Sequence, residues 1–203
     1  MTPAEFRARL DVLMEVIFRG LTYYAVWKKL RFHEDDKVSW SLEEQTAVGG
    51  RFNGFFTPVI LALGYMMLMQ FAKIFDQRRK TVSLTNLLRS AQQDPGLVPR
   101  TTPEKVHEIS NQLQENKKAL DALKRRRDQW LAHAYPNPAP HGPLLMGEFD
   151  KLVKGVKAAF GSVSSAHDGQ AVAWQLDEAD WHTTRVVEIL LEDIRRSESR
   201  SSR

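Results

Sequence analysis

The stretch PEKVHEISNQLQENKKALDALKRRRDQWLAHA, residues 103–134, decides how this chain is read. Thr102 before Pro103 marks a helix start: a threonine hydroxyl caps free N–H groups, and proline suits the first helical position. From there the sequence reads in sevens. Val106, Leu113, Leu120, Arg127 and Ala134 fall in one column, and Ile109, Asn116, Leu123 and Trp130 in the other. This is an apolar seam along one long helix, interrupted by Asn116 and Arg127. PNPAPHGP, residues 136–143, cannot continue it and forms a loop.

The same grammar extends to both sides. Thr-Pro recurs at 2–3 and 57–58, and Thr2 with Glu5 makes a capping box. A first long helix over 3–31 follows, with Phe6, Leu10, Leu13, Ile17, Leu21, Tyr24 and Trp27 in a stripe. Ser41 and Glu44 cap a short helix that Gly49-Gly50 stops. A second long helix begins at 51 or 57 and reaches 80, with Pro58 in its first turn or as a kink inside it. Ser83 caps a short helix over 83–93, and Asp94-Pro95-Gly96 turns the chain. A helix over 145–160 carries Phe149, Leu152, Val153, Val156 and Phe160 on one face, and GSVSSAHDGQ after it reads as a loop. A last helix over 178–196 is capped by Asp177. AVAWQL, 171–176, is the only strand candidate. The expectation is an all-α bundle of four to five helices with short extra ones: a single domain over 1–196 and a disordered tail over 197–203.

Composition sets bounds on function. The 203 residues contain 42% hydrophobic and 27% charged residues, ordinary values for a globular chain. Cysteine is absent, which removes disulfide scaffolds, thiolate metal sites and cysteine nucleophiles, and fits a cytoplasmic setting. Glu5, Arg7, Arg9, Asp11 and Glu15 interrupt the N-terminus, so it holds no uncharged signal-peptide core. FFTPVILALGYMMLMQFA, 55–72, carries no charge and is about long enough to span a bilayer. Its Thr57, Pro58, Gly64 and Gln70, and its continuation into AKIFDQRRK, read instead as a buried core helix, and no membrane is expected.

Arg127 is the sharpest anomaly, because a charge in a core seam is costly unless it is paired or faces a cleft. An ion pair with another helix, or snorkelling to the surface, would account for it structurally. His133 stands at the helix end, a favourable place for a cation. Six steps of about 100° put His133 roughly 120° around the axis from Arg127 and about 9 Å along it, so on one straight helix the two do not meet. A second subunit could bring such a pair together, and a soluble homodimer is expected. Basic residues cluster at Lys117, Lys118 and Lys124 to Arg127, and again at Arg78, Arg79 and Lys80. A phosphate backbone calls for such a field, and a solvated helix face looks the same.

RDQWLAH, 127–133, resembles the R-x(4–6)-H motif of the HEPN superfamily, helical domains many of which are ribonucleases. Asp128 matches the polar residue that tends to follow the arginine. AKIFDQRRKTVSLTNLL, 72–88, resembles the abortive-infection Abi-U-type branch through its Phe-Asp at a helix end and its Ser-Leu-x-x-Leu-Leu stretch. The resemblance implies cleavage of RNA without metal or other cofactor, by attack of the 2′-hydroxyl on the adjacent phosphorus. His133 would transfer protons, Arg127 would stabilise the phosphorane-like oxygens, and Asp128 would orient one of them. Lys124, Arg125, Arg126, Arg78 and Arg79 would bind RNA. Asp76 would be a supporting carboxylate, or pair with Arg127 or Arg78. The implied setting is a toxin of phage defence or of a toxin–antitoxin pair, with a nucleotidyltransferase-like antitoxin partner. A HEPN-like module that binds a protein or nucleotide without catalysis is the alternative.

Overall fold

The computed structural model describes residues 1–30, 40–78, 80–132, 146–174 and 177–201. Among these, every regular element is helical. The α-helices are α1 (Pro3–Leu30), α2 (Leu42–Arg51), α3 (Asn53–Ile74), α4 (Leu84–Gln93), α5 (Pro103–Ala132), α6 (Met146–Asp168) and α7 (Asp177–Ser201), with one turn of 3₁₀-helix at Pro95–Leu97. The five long helices and two ten-residue ones answer to the expected all-α architecture. The chain divides into two compact units, Met1–Gly20 with Leu68–Trp174, and Leu21–Met67 with Gln175–Arg203.

In the first unit the buried side chains come from one stripe per helix. Phe6, Leu10, Leu13 and Ile17 line α1, and Val106, Ile109, Leu113 and Leu120 line α5. Asn116, the first break in the α5 seam, has a local cause. A Cβ on Gly155 of α6 would lie 1.9 Å from its Nδ2, so the two helices come close where one has no side chain and the other a flat amide. The Asn116 amide also donates back to the Gln112 carbonyl at 3.1 Å. Helix α6 runs past its expected end at 160 to Asp168. Phe160, Val163 and Ala166 are buried and continue the stripe of Phe149, Leu152 and Val156, so packing overrides the weak helix propensity of the serines and Gly161. Gly169 ends it in the left-handed region, φ 80°, its N–H bound to the Ser165 carbonyl at 2.8 Å.

In the second unit, Leu30, Trp40, Val48, Phe56, Val187, Leu191 and Ile194 form one apolar cluster. Helix α2 starts with the expected box: the Glu44 N–H donates to the Ser41 hydroxyl, and the Ser41 N–H to the Glu44 carboxylate. Arg195 of α7 reaches Glu44 at 2.7 Å, and Arg51 reaches Ser197 at 2.7 Å. Those contacts accompany a helix that continues to Ser201, through most of the expected tail.

Two expectations about α3 are corrected. It stops at Ile74 rather than 80; of the two positions open to Pro58 in the sequence, first turn or helix interior, it takes the interior. It is also less buried than a core helix. Met67, Leu68, Phe71 and Ile74 are buried, yet Phe55, Leu61, Tyr65 and Met66 are exposed. By length and composition alone α3 could cross a membrane, and 33% of its most apolar window is buried.

Candidate functional site

Two features of the first unit are candidates for a functional site. The first is the α3–α4 connection, which holds Asp76 and Arg78. The Asp76 carboxylate accepts from the Arg78 backbone N–H at 2.9 Å, folding the chain back and ending α3. The same carboxylate takes both forks of the Arg78 guanidinium, at 2.9 and 2.5 Å. This charge-assisted contact raises the guanidinium pKa above its ordinary value, and it makes Arg78 a partner of Asp76. Behind it, the Ser83 hydroxyl donates to the Asp76 carbonyl at 2.5 Å and accepts from the Asn86 N–H at 3.2 Å. The buried Asn86 amide donates to the carbonyls of Arg78 and Thr81, at 2.7 and 2.9 Å. The Phe-Asp and Ser-Leu-x-x-Leu-Leu segments are thus one clamp. Buried Leu84, Leu87 and Leu88 anchor it, and Ser83 and Asn86 satisfy the turn's carbonyls.

From this clamp, α4 and then α5 follow. Lys124, Arg125, Arg126, Arg127 and Asp128 all lie in the C-terminal part of α5. His133, next after Ala132, and Arg79 lie outside the described residues. The described structure therefore brings Asp76 and Arg78 together and assigns the basic run to one helix.

The second feature escaped the sequence reading. An open cleft of about 720 Å³ lies between the start of α5, the C-terminal half of α6 and the segment after it. Arg100, Lys105 and Lys157 line it, with the hydroxyls of Thr101, Ser162 and Ser165. Its floor is small: Ala158, Gly161 and Gly169. The Arg100 guanidinium lies where a Cβ on Gly169 would be, 2.4 Å from that point, so the glycine makes room for it. The Lys157 ammonium stands 5.9 Å over the Trp174 ring. Carboxylates nearby have partners: Glu108 holds Lys105 at 2.7 Å, and Asp168 holds Arg7. Contiguous basic runs drew the attention in the sequence. The available signal was the spacing of Lys151, Lys154 and Lys157, which puts cations along one side of a helix.

A family model described as AbiU2, of the HEPN superfamily, matches residues 3–183. The chain belongs to the HEPN AbiU2 family. A search of curated proteins and a search of solved structures each found no match. The HEPN match spans α1 to α6 and the start of α7, so it takes in the clamp, the basic run and the cleft.

Proposed function

We propose that this HEPN chain is a metal-independent endoribonuclease acting in the cytoplasm as a toxin, in phage defence or in a toxin–antitoxin pair. The observation that supports the reading is the pair Arg127–Asp128 in the last turns of α5, with His133 next in sequence after Ala132, in a chain of the HEPN AbiU2 family. His133 removes the proton of the 2′-hydroxyl or protonates the leaving 5′-oxygen, since its ordinary pKa lies close to neutrality. Arg127 offers its planar fork to the oxygens on which charge develops. Asp128 orients one of the two, and Lys124, Arg125, Arg126, Arg78 and Arg79 hold the phosphate backbone. The Asp76 carboxylate supports the site by fixing Arg78. A homodimer supplies two such motifs, which answers the divergence of Arg127 and His133 on one straight helix. A nucleotidyltransferase-like protein is the antitoxin partner this reading calls for.

The test is direct. Purified protein incubated with total RNA, with and without EDTA, should give fragments ending in 2′,3′-cyclic phosphate. The Arg127→Ala/His133→Ala double variant should give none. Wild-type protein that cleaves nothing, or a double variant that still cleaves, rejects the assignment in favour of a non-catalytic helical module. Light scattering at micromolar concentration should give twice the chain mass, and a monomer removes the dimer from the reading.

A further inference from the structure

We infer that the cleft between α5 and α6 is a second RNA-backbone site, remote from Arg127 along α5, that anchors a single strand along α6. This rests on RNA as the ligand of the chain, not on the cleavage step.

Cation availability is the first argument. Arg100 and Lys157 form no ion pair among the described residues, whereas the neighbouring carboxylates of Glu108 and Asp168 are both engaged. Two uncompensated cations beside three hydroxyls suit phosphate oxygens, which accept from both. Gly169 reinforces the point. Its left-handed φ of 80° ends α6, and its missing Cβ is the space the Arg100 guanidinium occupies. The Arg100 N–H is fixed as well, donating to the Ala166 carbonyl at 3.0 Å.

Direction is the second argument. Asn116 meets Gly155, while Ile109 shares the cleft with Ala158 to Ala166, so α5 and α6 run antiparallel. Going back along α6 from the cleft, Lys154 and Lys151 precede Ala158 at steps of four and three, on the cleft's own side of the helix, and both are exposed. Their row leads towards the end of α5 that carries Arg127, roughly 36 Å from Pro103 at about 1.5 Å per residue. A mononucleotide needs one pocket. A row of cations leaving an open cleft fits an extended polyanion, and the half-buried Trp174 beside Lys157 adds an aromatic ring next to that row.

The probe is a fluorescent 2′-O-methyl oligouridine of about 20 nucleotides, which binds as a single strand and lacks the attacking hydroxyl. Anisotropy titrations across salt concentrations compare wild type with Arg100→Ala/Lys157→Ala and with Lys151→Ala/Lys154→Ala. The second pair sits at exposed positions and guards against a folding defect in the first. Each pair should weaken binding about tenfold and flatten the salt slope by about 1.4, the value for two lost single-strand phosphate contacts. Wild-type affinity and slope in both variants would overturn the inference and leave the ribonuclease reading intact. A wild-type protein that binds no oligomer at about 50 mM salt would take down both. ATP binding more tightly than the oligomer, and lost in the Arg100 variant, would make the cleft a mononucleotide pocket and overturn the strand proposal.

Discussion

Helices α5 and α3 are both long, 30 and 22 residues, and opposite in character. In α5, apolar residues are few and periodic, and those of the seam through Leu120 are all buried except the amide at Asn116. In α3 nearly every residue is apolar, and the helix leaves Phe55, Leu61, Tyr65 and Met66 to solvent. The contrast shows where facing information resides. A polar background marks the face that water must not reach, because every other position has to be solvated. A uniformly apolar helix contains no such mark, so its sequence indicates that it can be buried and not which side is.

A matched pair of leucines tests this most strongly. Leu113→Ala in α5 removes a fully buried side chain and should cost about 2–5 kcal/mol. Leu61→Ala in α3 removes one that is 42% exposed and should stay within about 0.5 kcal/mol. Urea melts of the two variants beside wild type measure both. Similar losses would mean that the outer side of α3 is covered in solution. If α3 instead lies in a bilayer, detergent will be needed to keep the wild-type chain in solution.

The α5–α6 crossing sharpens the comparison. Gly155→Val would drive a branched side chain into Asn116, whose Nδ2 already lies within 1.9 Å of the new Cβ, and overpacking of this kind costs about 1–3 kcal/mol. Within α3, Gly54 has no neighbour within 4 Å of a built Cβ. Gly54→Ala should be neutral or stabilising, by up to about 1 kcal/mol through helix propensity. Thermal melts distinguish the two. A tolerated Gly155→Val would show that Asn116 swings aside and that the crossing is loose.

The clamp gives an intermediate effect. Ser83→Ala removes both an N-cap acceptor and a donor to the Asp76 carbonyl, and should cost about 1–2 kcal/mol. Loss of the Abi-U-like segment's stability without loss of RNA cleavage would make it purely structural.

Most of the helical plan was legible because it is written in caps and periods. Ser41 with Glu44, Ser83, Asp94 and Thr102 each stand where a side chain meets orphaned N–H groups, and each does so in the structure. The errors about helix ends have two physical origins: packing that overrides local propensity, and a local side-chain hydrogen bond that stops a helix early. Gly161 to Ser165 looked like a loop, and Val163 and Ala166 keep them helical by burial. Arg78 looked helical, and the Asp76 carboxylate ends the helix before it by capturing the Arg78 N–H. The cleft was hidden for a different reason: Arg100 and Lys157 are distant in sequence and meet only because α5 and α6 run antiparallel. The Arg127 motif is a pattern of residue types, and the chemistry proposed for it depends on a side-chain meeting that a pattern does not specify.

The smallest expected effect concerns how the two helices begin. Glu104 stands in the first turn of α5, where its own backbone N–H, then the Thr102 hydroxyl, hold its carboxyl below the ordinary value of 4.5. A carboxylate there also faces the positive end of the helix dipole. Helix α3 has no acidic residue in its first turn. Because the folded Glu104 pKa is depressed, its contribution is fully present above the unfolded value. It is lost as pH falls through the folded one, so the loss begins near 4.5 and lies below it. Lowering the pH through that window should loosen the first turn of α5 and leave that of α3 unchanged. Amide exchange of Val106 and of Thr57, followed by NMR across the window, reads the two turns separately. Thr57 amides that accelerate in step with those of Val106 would show that acid acts on the fold at large and not on the α5 cap. A Glu104→Gln variant that keeps the same acid response would point to another carboxylate.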